Sequence, residues 1–292
     1  LWRGIFHAVS AFCNAGFDLL GTEGEFSSLA SYNGNPVVLL TIMALITIGG
    51  LGFFVWEDIL RCGRDLRRLS LYSKMVLSFT AALILGGGLF FLLAEWDNPA
   101  TLGDMPGWKR VLNAAFQAVT LRTAGFDTIG QGNLRDSSLA MSCILMLIGG
   151  SSGSTAGGLK TVTVGVLFLT LRAGLAGREE VTLRGRSISH RRVMNALTLT
   201  LIVAVIFLAG SMIISLVDDV PFLSAAFESA SAMATVGVTV GITPTLSLFS
   251  HVLLICMMFL GRVGIMSFSI AFLARSKYPA KIKYPTMDIM IG

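Results

Sequence analysis

The sequence predicts an all-α membrane protein that crosses the bilayer several times and contains three related re-entrant segments. Of its 292 residues, 54% are hydrophobic and 13% are charged, and the mean hydropathy of +0.76 is far higher than a soluble domain of this length needs. A glycine-centred motif recurs at Gly16, Gly125 and Gly237, at intervals of 109 and 112 residues. Each copy follows a short amphipathic run headed by phenylalanine, which indicates repeated membrane units rather than a solenoid.

Basic residues are concentrated in three stretches, 61–74, 172–192 and 275–283, with acidic loops between them. By the positive-inside rule, the basic stretches are predicted to be cytoplasmic and the acidic loops external. This grouping by loop, at a net charge of +5, argues for membrane topology and against nucleic-acid binding. The cysteines are isolated, without a CxxC pair or matching histidines, so they predict packing rather than disulfides or a metal site; they are Cys13, Cys62, Cys143 and Cys256.

Apolar runs of about twenty or more residues predict the helices that cross the membrane, since each helical residue adds about 1.5 Å of rise. In chain order the runs are 37–56, 71–94, 138–171, 193–217 and 245–274. The first contains Gly49, Gly50 and Gly52, which permit a close helix contact or a bend. Three further segments are too short to cross: 2–13, 108–122 and 221–234.

Each short segment leads into one of the glycine motifs, after which the chain returns to the side from which it came. Irregular backbone at membrane depth is tolerated only where it lines a protein cavity. We therefore predict three pore loops that enter from the outside; the alternative is a short surface helix in each repeat. Backbone carbonyls turned toward one axis can replace the water around a cation, and glycine permits the required dihedral angles without a blocking side chain.

A glycine- and serine-rich segment, 149–160, interrupts the third apolar run. Its composition would destabilise a lipid-facing helix, so we expect the break to lie buried beneath the glycine turns. The alternative is an ordinary packing seam of small residues. Lys160, at the end of the segment, either snorkels to the interface or holds the segment. Arg262 falls in the middle of the last predicted span, where a charge faces the pore or a partner unless it snorkels.

Four stretches of the sequence resemble the membrane subunit of the Trk/Ktr/HKT cation transporters, and most of all the Ktr-type potassium uptake subunit. They are FHAVSAFCNAGFD (6–18), LRTAGFDT (121–128), GGSSGSTAGGLKT (149–161) and ATVGVTVGITP (234–244). The resemblance implies four helix–pore loop–helix repeats around a pseudo-fourfold central pore. Repeat one and the first helix of repeat two are then expected to be missing from this chain. The assigned parts are 1–60 for the second half of repeat two, 61–171 for repeat three, 172–275 for a cytoplasmic loop and repeat four, and 276–292 for a cytoplasmic tail.

The resemblance also implies uptake of potassium, or another monovalent cation, through a selectivity filter whose backbone carbonyls bind K⁺. The implied filter residues are Asn14, Ala15, Gly16, Phe17, Thr123, Ala124, Gly125, Phe126, Thr235, Val236, Gly237 and Val238. Segment 149–160 resembles the family's intramembrane gating loop, beside an arginine of the last helix. The implied gate residues are Gly149, Gly150, Ser151, Ser152, Gly153, Ser154, Thr155, Ala156, Gly157, Gly158, Lys160 and Arg262.

By the same resemblance, the chain is expected to form a homodimer in the bacterial cytoplasmic membrane, in contact with membrane lipid. It is expected to dock on a cytosolic ring of nucleotide-binding regulatory subunits of the RCK type. K⁺ or Na⁺ would be the transported ion, nucleotide would act only through the regulatory partner, and no covalently bound cofactor is implied. The sequence leaves open whether K⁺ or Na⁺ is preferred, and whether flux is channel-like or coupled to sodium or protons.

Two other classes of protein fit parts of the sequence. Gly150-Ser151-Ser152-Gly153 matches the Gly-x-Ser-Gly of intramembrane serine proteases, which would need His251 within hydrogen-bond reach of Ser152. That interpretation leaves the glycine motifs unexplained. A structural membrane protein without ion flux is the other alternative, and it predicts tolerance of Gly237→Ser. The expected class is a transporter and not an enzyme.

Several charges near the motifs have two interpretations each. Asp18, Asp127, Asp218 and Asp219 either raise the local cation concentration or are solvated loop charges. Arg122 either holds a short helix in place or repels a surplus cation.

Overall fold

The computed structural model describes residues 1–263 apart from Glu23, Glu25, Arg64 and Glu179. Over these residues the chain is mostly helical. The helices are α1 Trp2–Phe12, α2 Pro36–Leu51, α3 Phe53–Cys62, α4 Leu71–Ala94, α5 Gly107–Thr120, α6 Asp136–Leu147, α7 Thr161–Leu175, α8 His190–Asp218, α9 Phe222–Ala234 and α10 Leu248–Val263. A small antiparallel hairpin of β1 Thr182–Leu183 and β2 Arg186–Ser187 joins α7 to α8, and the sequence pattern did not predict it.

Helices α4 and α8 are the two described helices that are individually long and apolar enough to cross a membrane. Helices α2 and α3 satisfy the same criterion as a pair, but they are bent by 95° with respect to each other. The apolar stretch predicted over 37–56 therefore forms two helices with the bend that its glycines permit, rather than one straight helix. The cause is Gly52, which separates the two helices with φ 82° and ψ 149°, a conformation outside the helical region.

Local sequence explains where several helices begin and end. The side chain of Asn35 accepts hydrogen bonds from the backbone amides of Val37 and Val38, and Pro36 occupies the first turn of α2, where no amide hydrogen is needed. Ser70 caps α4 by accepting from the amide of Ser73. At the other end of the chain, α9 stops where Thr235 adopts a left-handed conformation.

The short helices α5 and α9 lie inside the protein and the long helices lie outside, whereas α1 buries only His7, Ser10 and Ala11. Every residue of α9 from Ala225 to Ala234 is buried, whereas only 22% of the most apolar window of α4 or α8 is buried. Leucines along α4, at 85, 89 and 93, are between 58% and 72% exposed. An apolar surface of this extent fits contact with lipid and not with water.

Two hydrophobic clusters hold the short helices in place. Phe116 of α5 and Phe126 pack with Leu39 of α2 in one cluster. Phe227 of α9 packs with Phe91 of α4 in the other. The phenylalanines that head the short runs in the sequence are thus core residues at α5 and α9, both of them 0% exposed.

The predicted interruption of the third apolar run is present, because α6 ends at Leu147 and α7 begins at Thr161. Of the last predicted span, 245–274, the structure describes α10 as far as Val263. The rest of that span and the predicted tail, 276–292, lie outside the described residues.

Candidate functional site

The three glycine motifs share one backbone conformation. In each motif the residue two positions before the glycine has a positive φ, and so does the glycine itself. The first set is Asn14, Thr123 and Thr235, with φ of 49°, 70° and 55°. The second is Gly16, Gly125 and Gly237, with φ of 71°, 93° and 95°. Three sequence-related segments therefore make three equivalent turns at the ends of α1, α5 and α9.

The three turns lie edge to edge. A Cβ atom on Gly16 would overlap the carbonyl oxygen of Ala124 and lie 2.8 Å from the Cα atom of Gly125. A Cβ atom on Gly125 would overlap the carbonyl oxygen of Val236. Glycine is required at these two positions because the backbone of the neighbouring turn occupies the place of a side chain.

A hydroxyl side chain from each short helix binds its own turn, and sequence reasoning did not single out these residues. The hydroxyl of Ser10 donates to the carbonyl of Phe17 at a distance of 2.8 Å. The hydroxyl of Thr120 donates to the carbonyl of Phe126 at 2.6 Å. In the third motif the direction reverses, and the amide of Gly237 donates to Ser231 Oγ at a distance of 3.2 Å. The signal that could have found them is that all three follow the aligned phenylalanine by four residues.

A cavity of about 140 Å³ opens on one side of the three turns. All three motif glycines line it, together with Asp18 and Asp127. Asp127 also binds its own loop, accepting from the amides of Ile129 and Gly130 at 3.0 and 3.1 Å. Asp218 instead accepts from the amide of Ser247 at the end of α8, away from the residues that line this cavity. The predicted acidic residues are therefore divided, and two of the four face the turns.

Segment 149–160 folds into a closed loop between α6 and α7. The amide of Leu159 donates to the carbonyl of Leu147, and the amide of Thr161 donates to the carbonyl of Gly150; both distances are 3.0 Å. These bonds pair the two ends of the segment, so the loop leaves the helix axis and returns to it.

The loop contacts the first and third turns on the side opposite the cavity. The hydroxyl of Thr155 donates to the carbonyl of Phe12, just before the first turn, at a distance of 3.2 Å. A Cβ atom on Gly157 would overlap the Thr235 hydroxyl of the third turn. The cavity is lined by residues that follow the glycines, whereas the loop touches residues that precede them. The loop and the cavity therefore lie on opposite sides of the turns.

The bend between α2 and α3 makes room for the same loop. The amide of Phe53 donates to the carbonyl of Gly153 at a distance of 3.1 Å, and the amide of Ser151 donates to the carbonyl of Gly50 at 3.0 Å. A Cβ atom on Gly52 would lie 2.7 Å from the carbonyl oxygen of Ser152. The kinked helix pair and the loop are thus fitted to each other.

Three cationic side chains bind the loop. Lys160 Nζ donates to the carbonyl of Ala156 at a distance of 2.8 Å, and Arg262 Nη1 donates to the carbonyl of Thr155 at 2.7 Å. Arg122, which precedes the second turn and is only 7% exposed, donates to Thr161 Oγ1 over 3.2 Å. Lys160 thus bonds to the backbone of its own segment. Arg122 bonds to Thr161, the first residue of α7, and to the carbonyl of Gly149, the first residue of the loop.

The geometry does not support a serine–histidine pair. Ser152 lines an open cavity with Glu57 and Tyr72, and His251 is not among the residues that line it. His251 Nδ1 is instead 2.9 Å from the carbonyl of Ser247, four residues earlier in the chain. A nucleophile and its base must be within hydrogen-bond reach of each other, and His251 is directed to a different partner.

Long lipid-exposed helices around short buried helices and glycine turns define the class of this protein as a polytopic helical membrane transporter. The chain belongs to the family described as TrkH, cation transport protein, which matches residues 1–280. Its fold is that of the potassium transporter TrkH from Vibrio parahaemolyticus, with a TM-score of 0.72 over 92% of this chain and 58% of that one, at 21% identity.

The chain is also similar to curated bacterial proteins along its whole length. It is 41% identical to the potassium/sodium uptake protein NtpJ of Enterococcus hirae, covering 100% of this chain and 64% of that protein. It is 35% identical to the Ktr system potassium uptake protein B of Bacillus subtilis, with the same two coverages of 100% and 64%. Corresponding protein B of Vibrio alginolyticus is 33% identical, covering 100% and 63%. The chain thus spans less than two thirds of the length of these relatives, all of which are named as uptake proteins and none as an enzyme.

Proposed function

We propose that this chain forms most of the ion pathway of a protein that takes up potassium, or potassium and sodium, across the bacterial cytoplasmic membrane. The observation that carries the proposal is the contact of three equivalent glycine turns above one buried loop. The bacterial relatives are named for potassium or potassium/sodium uptake, which supports the same substrate class here.

The three turns are proposed to be the selectivity filter. Their carbonyl oxygens would replace the water around a dehydrated cation. The carbonyls of Ala124 and Val236 are well placed for this, because each lies against the glycine of the neighbouring turn. The carbonyls of Phe17 and Phe126 already accept hydrogen bonds from hydroxyl groups, so they are engaged with the supporting helices. Asp18 and Asp127 at the cavity would raise the local concentration of cations.

Segment 149–160 is proposed to be the gate. It lies against the side of the turns opposite the cavity, and its backbone is bonded to cationic side chains at Lys160 and Arg262. Movement of the loop would open the path without a change in the turns themselves. Small residues permit such a movement because few side chains must repack.

A regulatory partner and a second copy of the chain are part of the proposal. The names of two relatives place them in a Ktr system, which supports the expectation of further subunits. The cytoplasmic end of α7 and the β1–β2 hairpin surround an open cavity of about 520 Å³ lined by Arg172, Arg178 and Arg184. This basic surface is suited to an acidic face of a cytosolic ring that binds nucleotide. Cross-linking from a cysteine introduced at Arg184 would test the contact.

The test of the filter uses a bacterium that cannot take up potassium, grown in low potassium and carrying the full-length gene product. The change is Gly237→Ser, which puts a side chain at φ 95° and costs about 1–2 kcal/mol of strain. The control is Gly241→Ser, at φ 97°, where a Cβ atom also meets nothing within 4 Å among the described residues. The proposal expects Gly237→Ser to lose growth or to admit sodium, and Gly241→Ser to grow like the parent. Equal growth of both variants at equal expression would overturn the filter assignment.

A further inference from the structure

The residue directly after the aligned phenylalanine is polar and buried in all three short helices. These residues are His7, Gln117 and Glu228, which are 8%, 0% and 5% exposed. They lie 110 and 111 residues apart, close to the spacing of the glycine motifs. A polar group in a membrane protein interior is costly unless it is hydrogen-bonded, so three such groups at one repeat position need an explanation.

Each of the three side chains reaches past its own turn to the chain beyond it. His7 Nε2 is 3.5 Å from the amide nitrogen of Leu19. Gln117 exchanges two hydrogen bonds with the amide side chain of Gln131, at 2.6 and 3.1 Å. The partners follow the buried residue by 12 and 14 positions, so in both repeats the bond closes the loop that contains the glycine.

Glu228 makes the most extensive of these connections. Its Oε1 accepts from the hydroxyl of Thr239 at 2.6 Å and from the amide of Val240 at 3.0 Å. Its Oε2 accepts from the hydroxyl of Thr243 at 2.8 Å. Hydrogen bonds to a carboxylate are stronger than those between neutral groups. The third turn is therefore closed by three bonds to one side chain, the second by an amide pair, and the first by a single long contact.

Each turn is thus held at two levels of its short helix. The hydroxyl residues Ser10, Thr120 and Ser231 bind the turn itself, and the buried polar residues, three positions earlier, bind the returning chain. Residues three apart lie on the same face of a helix, so both levels face the same loop. The spacing of a turn from its supporting helix is then set by side chains and not by the turn alone.

We propose that His7, Gln117 and Glu228 are positioning residues that set how well the pathway discriminates potassium from sodium, with Glu228 having the largest effect. The inference rests on the proposed function of the turns as a filter. Discrimination between the two ions requires carbonyl oxygens to keep a set number and distance around the ion. The returning chain carries the wall of the cavity, including Thr239. Loss of the connection to Glu228 would let that chain relax and allow the turn to fit the smaller ion.

The test compares rubidium and sodium uptake in cells that carry the full-length gene product. Glu228→Leu removes all three bonds, whereas Glu228→Gln keeps the shape of the side chain and one acceptor oxygen. The expected ratio of rubidium to sodium uptake falls about tenfold in Glu228→Leu, which corresponds to roughly 1.4 kcal/mol, and less in Glu228→Gln. Ser229→Ala, on the same buried helix, is the control because its hydroxyl has no hydrogen-bond partner among the described residues.

A second route to the same loss guards against misfolding of the Glu228 variants. The double substitution Thr239→Val and Thr243→Val removes two of the bonds from the loop side with side chains of similar size. It is expected to lower the ratio in the same direction, and adding Glu228→Leu should have less than an additive effect. An unchanged ratio in the threonine double variant, with uptake retained, would overturn the inference. Absence of uptake by the unmodified protein and its partner would instead overturn the proposed function, and the inference with it.

Discussion

The glycines of the three turns are not equivalent as single residues. Gly16 and Gly125 each face the backbone of the next turn, whereas the position of a Cβ atom on Gly237 is open. Substitution of the first two must move a neighbouring turn, but substitution of the third strains only its own backbone. The effect of substituting the glycine of these related motifs thus depends on which part of the protein lies against it.

Gly16→Ala is predicted to reduce potassium uptake more severely than Gly237→Ala. The alanine would overlap the carbonyl of Ala124 in addition to the roughly 1–2 kcal/mol of strain at a positive φ. Since each 1.4 kcal/mol is about tenfold, we expect a loss of uptake well beyond tenfold. Gly21→Ala is the control, because no described atom lies within 4 Å of its Cβ position. Equal uptake by the Gly16 and Gly21 variants would contradict the contact between turns.

Glu95, just beyond the end of α4, is predicted to make stability depend on pH. Burial raises the pKa of its carboxyl group, but hydrogen bonds, among them those from Asn98, Thr101 and the amide of Arg135, outweigh this and lower the pKa overall. A carboxyl group with a lowered pKa in the folded state stabilises the fold at neutral pH, and that contribution is lost as the pH falls through the folded-state pKa.

Glu95→Gln should therefore lower the thermal unfolding temperature of the purified protein at pH 7, by an amount equivalent to about 1–3 kcal/mol. The difference from the parent should shrink as the pH falls below the ordinary range of a glutamate pKa. Asp97→Asn removes a charge from an exposed neighbouring side chain and should change little. A difference that grows on acidification would show that the carboxylate is not stabilising.

At the scale of elements, the buried loop is held by side chains from separate helices. Lys160→Met and Arg262→Gln each remove a charged donor from a loop carbonyl. Hydrogen bonds to charged groups contribute about 1.5–3 kcal/mol. The state in which the loop has moved away from the turns should therefore be populated about tenfold more, or beyond, than in the parent protein. We expect greater uptake without the regulatory partner. Lys109→Met, whose side chain lies over Trp108, is the control. Uptake that stays fully dependent on the partner in both variants would rule out this role.

The bend between α2 and α3 depends on Gly52. Gly52→Ala should lower stability by more than the roughly 1–2 kcal/mol expected from its positive φ alone, since the new Cβ atom would press on the carbonyl of Ser152. Gly63→Ala has a positive φ of 56° but no described atom within 4 Å of its Cβ position, so it isolates the strain from the contact. Thermal unfolding in detergent would measure both variants. Similar losses would mean that the loop does not fix the bend.

Elements defined by local sequence were predictable, and those defined by distant contacts were not. The span 71–94 matches α4 because its apolar run is bounded by the cap at Ser70 and the polar residues after Ala94. From the sequence, a bend near Gly52 could be predicted only as one of two possibilities, because the carbonyls that fix it belong to the loop far along the chain. The contact of Arg122 with Thr161 was unpredictable for the same reason. The glycine motifs were found from repetition, whereas Ser10 and its counterparts looked like ordinary helix residues.

For the whole molecule, the arrangement of basic and acidic loops predicts one orientation in the membrane. Ala100 and Ala176 are both exposed alanines, in the acidic loop after α4 and the basic connection after α7. In a background without the native cysteines, Ala100→Cys should react with a membrane-impermeant thiol reagent on intact cells. Ala176→Cys should react only after the cells are made permeable. Labelling of both residues on intact cells, or of Ala176→Cys alone, would reverse or refute the topology.

The burial of α9 has a consequence for biogenesis. This helix has 13 residues, too few to span a bilayer, and every residue from Ala225 to Ala234 is buried. It gains nothing from entering lipid alone, so its place exists only once α8 and α10 stand on either side of it. This helix must then take its place after the membrane-spanning helices, between elements that are already inserted. A nascent chain arrested before α10 leaves the ribosome should still expose the α9 segment to external reagents, whereas one arrested later should protect it.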